Sequence, residues 1–260
     1  MEMPVYAYIF VGLALTMFVV QIVLKVKGAA TQLSRASKSY RRSANPEVDP
    51  AKRFALAVGA INGEQLTANV DSLETGVERQ RLVQGLSESW DITSSETARS
   101  TLDWLLAEGH RVYFADVVAI ARGPKNTWKL AAQRFDEPDR VLEYVEHWAE
   151  SEEELRAAAM LTSEQDIARG ISSWDFGRAI NVARMAFDAG YLSRDEAWGV
   201  IERAAALAKP LFSSWDELGR SYILGRAMWS GSGMTLDGLI EITKKLSTDA
   251  ESPWTELRWT

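Results

Sequence analysis

Two kinds of hydrophobic pattern divide this chain. From Val5 to Leu24 ("VYAYIFVGLALTMFVVQIVL") twenty residues pass without a charge. Wound as a helix at about 1.5 Å per residue, they span roughly 30 Å, the apolar thickness of a bilayer. Tyr6 and Tyr8 sit at one end, where amphipathic rings favour the interface, and Gln21 lies near the other. From about residue 51 onward the apolar residues fall three and four apart, the period of an amphipathic helix. No alternating run is long enough for a sheet core. The pattern predicts an all-α fold: a compact multi-helix domain behind a single N-terminal transmembrane helix.

Punctuation between apolar stretches marks where the helices start and stop. "AKRFALAVGAI" opens the domain. Ahead of "SETARSTLDWLLAEG", Thr93 and Glu96 have capping-box spacing, and Gly109 suits a left-handed stop. "HRVYFADVVAIARG" is rich in β-branched and aromatic residues. Its helical surroundings favour helix, with a small hairpin near residues 112–130 as the alternative. "DEPDRVLEYVEHWAESEEELRAAAML" predicts one or two helices from near Pro138. "SRDEAWGVIERAAALAKP" starts with the box Ser193…Glu196 and closes at Pro210, and "MTLDGLIEITKKL" is the last clear helix.

Two nearly identical phrases, "SSWDFGR" (Ser172–Arg178) and "SSWDELGR" (Ser213–Arg220), stand where helices begin. Ser172 with Asp175, and Ser214 with Glu217, have the spacing in which a serine oxygen takes an orphan N–H and an acid faces the positive helix end. Asp175 and Arg178 are three apart, Asp216 and Arg220 four apart, within reach for ion pairs. Phe176, Ile180, Ala183 and Phe187 form one apolar stripe, and Leu218, Tyr222, Gly225 and Trp229 another. A glycine inside a helix costs about 1 kcal/mol against alanine. Gly177, Gly219 and Gly225 therefore imply close helix approach or room for a neighbouring indole. The phrases read either as an imperfect repeat of a helical hairpin or as a coincidence of capping chemistry.

Charge then orients the molecule. Residues 1–46 hold Lys25, Lys27, Arg35, Lys38, Arg41 and Arg42 against Glu2 alone, a net +5; the whole chain carries −7, which leaves −12 for the rest. "MEMP" before the apolar run lacks the basic residues of a cleaved signal peptide. All cations follow the run, so the positive-inside rule puts the N-terminus outside and the large domain in the cytoplasm; with the family resemblance given below, the expected location is a bacterial inner membrane. The expected division is a transmembrane anchor over 1–27, a basic stem or linker over 28–50 that continues as helix to about Arg42, and an acidic helical domain over 51–260. The six cations are either a contact for anionic lipid headgroups or a topology signal with linker. An acidic domain repels phosphate backbones, which argues against nucleic acid. With no cysteine, disulfides and thiolate sites are excluded, and His110 and His147 are too few for a histidine-rich metal site.

The stretch "SSWDFGRAINVARMAFDAGYLSRDEAWGVIERAAALAKPLFSSWDELGRSYILGRAMWS" (Ser172–Ser230), together with "SWDITSSETARSTLDWLLAEGHR" and the terminal "SPWTELRW", resembles the bacterial domain-of-unknown-function family 1266. The pieces W-D-x-G-R-A-x-N-x-A-R and G-Y-[IL]-x-x-x-E-A-W carry the resemblance, which covers roughly residues 54–260. It implies no activity, cofactor or catalytic residue.

Candidate chemistry gathers on the two phrase-bearing helices. Asp175, Arg178 and Asn181 on the first, Arg220, Tyr222 and Arg226 on the second, and His110 would, if they converge, make a pocket with carboxylate, guanidinium and imidazole. Such a pocket binds an anionic ligand or does acid–base chemistry. The alternative is a buried ion-pair network that fixes helix register. Trp174, Trp198, Trp215 and Trp229 either line a groove or fill core. Glu143, His147 and Glu150 make a weak metal set, and "ESEEEL" reads as a solvated acidic face. No phosphate loop, nucleophile elbow or H-E-x-x-H occurs, and no cofactor is expected. The leading expectation is a membrane-tethered, non-enzymatic interaction module with a protein partner. The rivals are an enzyme or small anionic-ligand receptor using the polar pocket, and an immunity or effector-associated protein in bacterial competition.

Overall fold

A computed structural model describes residues 39–259; the apolar run Val5–Leu24 and its basic flank up to Lys38 lie outside the described residues. Among the described residues there is no strand, and no helix is long and apolar enough to cross a membrane. The helices in chain order are α1 (Pro50–Val58), α2 (Ala60–Leu66), α3 (Arg79–Trp90), α4 (Ser95–Ala107), α5 (Phe114–Ala121), α6 (Trp128–Ala132), α7 (Pro138–Ala157), α8 (Glu164–Arg169), α9 (Ser172–Ala189), α10 (Arg194–Ala208), α11 (Trp215–Ser230), α12 (Met234–Thr248) and α13 (Pro253–Glu256). The hairpin alternative near 112–130 is not adopted. That stretch forms two short 3-10 turns, α5 and α6, and buries Phe114, Val117, Val118 and Ile120 at helical spacing.

The fold is organised around α9, which packs against α1, α2, α3, α4, α10 and α11. Helix α11 in turn lies against α7 and α12. Two glycines let α9 and α11 approach. A Cβ on Gly225 would meet Trp174 Cγ at 2.7 Å, and a Cβ on Gly177 would meet the Tyr222 ring at 3.4 Å. Each helix thus offers an aromatic ring to a glycine on the other, and Trp174 and Tyr222 meet edge to face at 5.0 Å between centroids. Serines close the same seam: Ser173 Oγ donates to the Leu218 carbonyl and Ser221 Oγ to the Gly170 carbonyl, both at 2.8 Å. Gly219 makes room for Thr243 and Trp254. The repeated phrase is therefore helix-packing architecture, and its Trp, Gly and Ser have identifiable work.

Two caps and one ion pair depart from expectation. Ser172 lies inside α9, whose cap position is Ile171 with no side-chain cap. The box before α4 is Ser94 with Thr97, one residue later than Thr93 and Glu96, because Thr97 Oγ1 reaches back to the Ser94 N–H at 3.1 Å. Arg220 pairs with Asp166 at 3.0 Å, while Asp216 instead accepts from Ser247 at 2.6 Å. Ser214 and the Ser193…Glu196 box cap α11 and α10 as their spacing requires, and Gly109 takes φ +62°. The acidic run in α7 is not wholly solvated: Glu152 pairs with Arg122 and Arg156, and Ser151 and Leu155 are buried.

The described chain enters the domain extended and not as a helix reaching Arg42. Tyr40 is buried, and the Val70 N–H donates to the Arg41 carbonyl at 2.9 Å. Arg42 is ion-paired with Glu256 and donates to the Glu251 carbonyl at 2.8 Å. The two ends of the described chain meet here. Trp254 stacks on Trp215 at 5.6 Å and donates from its indole to the Ala57 carbonyl at 2.8 Å, while Trp259 packs edge-on against Phe54 and Trp215.

Candidate functional site

Asp175, on the first turns of α9, is completely buried, yet four donors converge on it. The backbone N–H groups of His110 and Arg111 reach its two oxygens at 3.0 Å each. Arg111 Nη1 lies at 3.2 Å and Arg178 Nη2 at 2.5 Å. Burial alone would raise this carboxyl. The His110 hydrogen bonds and the charge of Arg178 outweigh it and hold Asp175 below the usual carboxylate range. The carboxylate therefore caps a distant turn, 110–113, instead of its own helix. Gly109 is required there: its positive φ admits no ordinary side chain, and a Cβ would overlap the Asp175 carboxylate.

Arg178 is buried and engaged through Nε and Nη2. It donates to Asp175, to the Trp174 carbonyl at 3.1 Å, and to Nδ1 of His110 at 2.8 Å. Its guanidinium stacks over Trp174 at 4.3 Å and Trp90 at 5.4 Å. A guanidinium has no acceptor, so Nδ1 of His110 must accept and the ring proton resides on Nε2. Burial lowers the His110 pKa; Asp175 opposes this and Arg178 adds to it, and the net direction is down. His110 is thus a neutral imidazole presenting an N–H.

Above this floor opens a cleft of about 810 Å³. Its walls include Trp90, Trp104, Tyr144, Trp174 and Trp229, its cations are Arg140, Arg178 and Arg226, and Asp91 is the one acid lining it. In a chain of net charge −7 this is a local reversal of sign. Trp104 meets His110 edge-on at 5.0 Å, and Trp174 lies 6.0 Å from Trp229.

Arg226 differs from the other buried arginines. The described residues include three buried arginines: Arg178, Arg184 and Arg226. Arg184 donates to the carbonyls of Asn69, Ser72 and Leu73, and Arg178 has the partners named above. Arg226 is 8 % exposed, has no acid or hydrogen-bond acceptor among the described residues, and its Nη1 is buried without a partner. It faces only the Trp229 ring, at 5.2 Å. Burial lowers its pKa; Tyr222 opposes and the like charge of Arg178 adds to the fall. Trp174 Nε1 and Asn181 Oδ1, in the same lining, are also buried without partners. Native interiors pair most such groups, so three orphans beside one cavity are exceptional.

Of the residues singled out in the sequence, the structure brings together His110, Trp174, Arg178, Asn181, Arg226 and Trp229 as lining, with Asp175 beneath. Tyr222 lies under the lining, fully buried, its hydroxyl donating to Gln65 Oε1 at 3.2 Å. Trp215 does not belong to the site: its indole donates to the Leu257 carbonyl at 2.7 Å inside the terminal tryptophan cluster. Trp198 and Arg220 are elsewhere too, under Lys52 and against Asp166 respectively. Among the described residues no group of three metal-ligating side chains forms; His147 Nε2 lies 3.9 Å from Glu143 alone. Sequence reasoning missed Trp90, Trp104, Arg140, Arg111 and Tyr144. Trp90 alone carried a signal, since "SWD" occurs a third time at Ser89–Asp91.

Searches of curated proteins and of solved structures found no match. A family model does match, over residues 85–259, and that span holds every arginine, tryptophan and histidine of the cleft. On that match the chain belongs to the family described as "Protein of unknown function (DUF1266)".

Proposed function

We propose that this protein is a membrane-tethered receptor for a small organic anion, bound in the cleft between α3, α4, α7, α9 and α11. The tether rests on the uncharged run Val5–Leu24, and the cations after it support a cytoplasmic side for the domain. The receptor reading rests on one observation: Arg226 is held in the wall of an open cleft with no counter-charge among the described residues. An uncompensated buried cation is costly, and a bound anion removes the cost. The aromatic walls favour a ligand with a flat, apolar body.

The same geometry favours binding over proton transfer. His110 offers a protonated Nε2 because Arg178 occupies its other nitrogen, and Asp175 is buried with all its donors inside the protein. Neither is a free base. This ranks the ligand receptor above the interaction module as the reading the cleft supports.

The test is thermal melting of the full chain in detergent micelles against benzoate, indole-3-acetate, phenyl phosphate and adenosine monophosphate, each beside its uncharged counterpart. At least one ring-bearing anion raises the melting temperature by several degrees, its neutral counterpart does not, and Arg226→Met removes the effect. Equal responses to charged and neutral members, or none to any, would overturn the proposal.

A further inference from the structure

The cleft continues past Arg226 and Trp229. A second chamber, of about 710 Å³, shares Arg140, Tyr144, Arg226, Trp229 and Thr235 with the first. Its floor is the loop "SGSG" (Ser230–Gly233) and the start of α12. Gly231 and Gly233 have φ +72° and +114°. A Cβ on Gly233 would meet nothing within 4 Å, so backbone conformation and not crowding calls for glycine there. Helix α12 runs fifteen residues from Met234, and no side chain caps it. Among the described residues the N–H groups of Met234 and Thr235 have no acceptor, and both residues line the chamber.

Two observations that arise separately thus meet in one space. One is an open helix N-terminus with its partial positive charge. The other is Arg226, 8 % exposed and unpartnered at Nη1, which lines the same chamber from α11. Acids stand at the same helix start: Asp237 lies in its first turn, and the Gly233 N–H bonds to Glu154. Glu143, largely exposed beside His147, also lines the chamber and is its one acidic side chain. Glu154 and Asp237 lie outside the lining; burial first, then Asp237, pushes the Glu154 carboxyl up, with the Gly233 N–H partly opposing.

We infer that this second chamber seats the phosphoryl group of a phosphate ester whose flat body lies along Trp174 and Trp229 in the larger cleft. The inference rests on the receptor reading and specifies its ligand class. A phosphoryl group presents three terminal oxygens around one centre. Backbone N–H groups of a helix start supply donors along one direction, and a guanidinium fork supplies two more from another. A carboxylate keeps its two oxygens in one plane, whereas the three phosphoryl oxygens also meet donors that do not share a plane.

Calorimetric titration of the full chain in detergent micelles with phenyl phosphate, benzoate and inorganic phosphate tests this. Phenyl phosphate binds about tenfold or more tightly than either of the others. Met234→Pro deletes one of the proposed N–H donors at the first helical position, where proline is tolerated, and the side chain lost is 43 % exposed. It weakens phenyl phosphate about tenfold and leaves benzoate within about twofold. Arg226→Lys, which keeps the charge and loses the fork, is the second variant and acts in the same direction. Benzoate binding as well as phenyl phosphate, or both variants affecting the two ligands alike, overturns the phosphoryl seat and leaves the receptor reading in place. Absence of binding by all three overturns both.

Discussion

Nη2 of Arg178 donates to Nδ1 of His110 across 2.8 Å, linking residues 68 positions apart. That bond fixes the imidazole as a neutral Nε2–H tautomer at the base of the cleft. Nitrogen-15 NMR at pH 7 should show Nδ1 unprotonated and Nε2 protonated. A protonated Nδ1 would mean that the bond is absent in solution. The pH dependence has a definite sign. The folded pKa lies below the ordinary 6.5, so the unfolded chain binds the extra proton first. This contribution to stability is full above about pH 6.5 and is lost as pH falls toward the folded value. Denaturant melts of His110→Gln should be flatter than wild type in that acid range.

Arg226→Met should make the protein more stable, by about 1 kcal/mol, since it removes a buried guanidinium without a counter-charge. The gain is measured by chemical denaturation without ligand. The same substitution should abolish response to organic anions, the trade expected of a residue kept for binding. A clear loss of stability would identify an internal partner for Arg226 and return it to a structural role.

Gly225→Ala should cost about 2 kcal/mol despite alanine's better helix propensity, because the added methyl strikes Trp174 where it leaves its backbone. Trp174 cannot swing away without opening the α9–α11 seam. Denaturant midpoints of Gly225→Ala, Trp174→Ala and the double variant give the coupling. Strict additivity would show that the two residues do not touch.

Glu64, which does not line the cleft, supplies a pH effect of the opposite sign. Burial, partly offset by Lys245, pushes its carboxyl from 4.5 up to about 7. Its folded pKa is raised, so its contribution is present below about pH 4.5 and lost as pH rises through 7. Glu64→Gln should therefore add on the order of 2 kcal/mol at pH 8 and almost nothing at pH 4. A gain independent of pH would show that Glu64 titrates normally.

Local chemistry made much of this fold legible. The helical period, the Ser193…Glu196 and Ser214 caps and the Gly109 stop depend on residues within a turn of one another. Gly177 and Gly225 marked close packing because helix interiors otherwise exclude glycine. The site was half legible. Asp175 and Arg178 share one helix face, so their pairing could be read from spacing. That Asp175 would cap the turn at 110–111 from 65 residues away could not, nor that Trp90, Trp104 and Tyr144 would complete the walls from three other helices. Trp215 shows the converse: the same phrase as Trp174, placed at the opposite end of the α9–α11 pair, serves the terminal cluster. Phrase and spacing fix what a residue does to its own helix; its partners across the fold depend on how the helices cross.

The most direct test of the receptor claim is a structure of the full chain with 4-bromophenyl phosphate, with the bromine located by its anomalous scattering. The account predicts the bromine among Trp104, Trp174 and Trp229, with oxygens of the ligand on Arg226. A ligand bound elsewhere, or Arg226 found paired with a side chain of the protein while the cleft stays empty at saturating concentration, would contradict it.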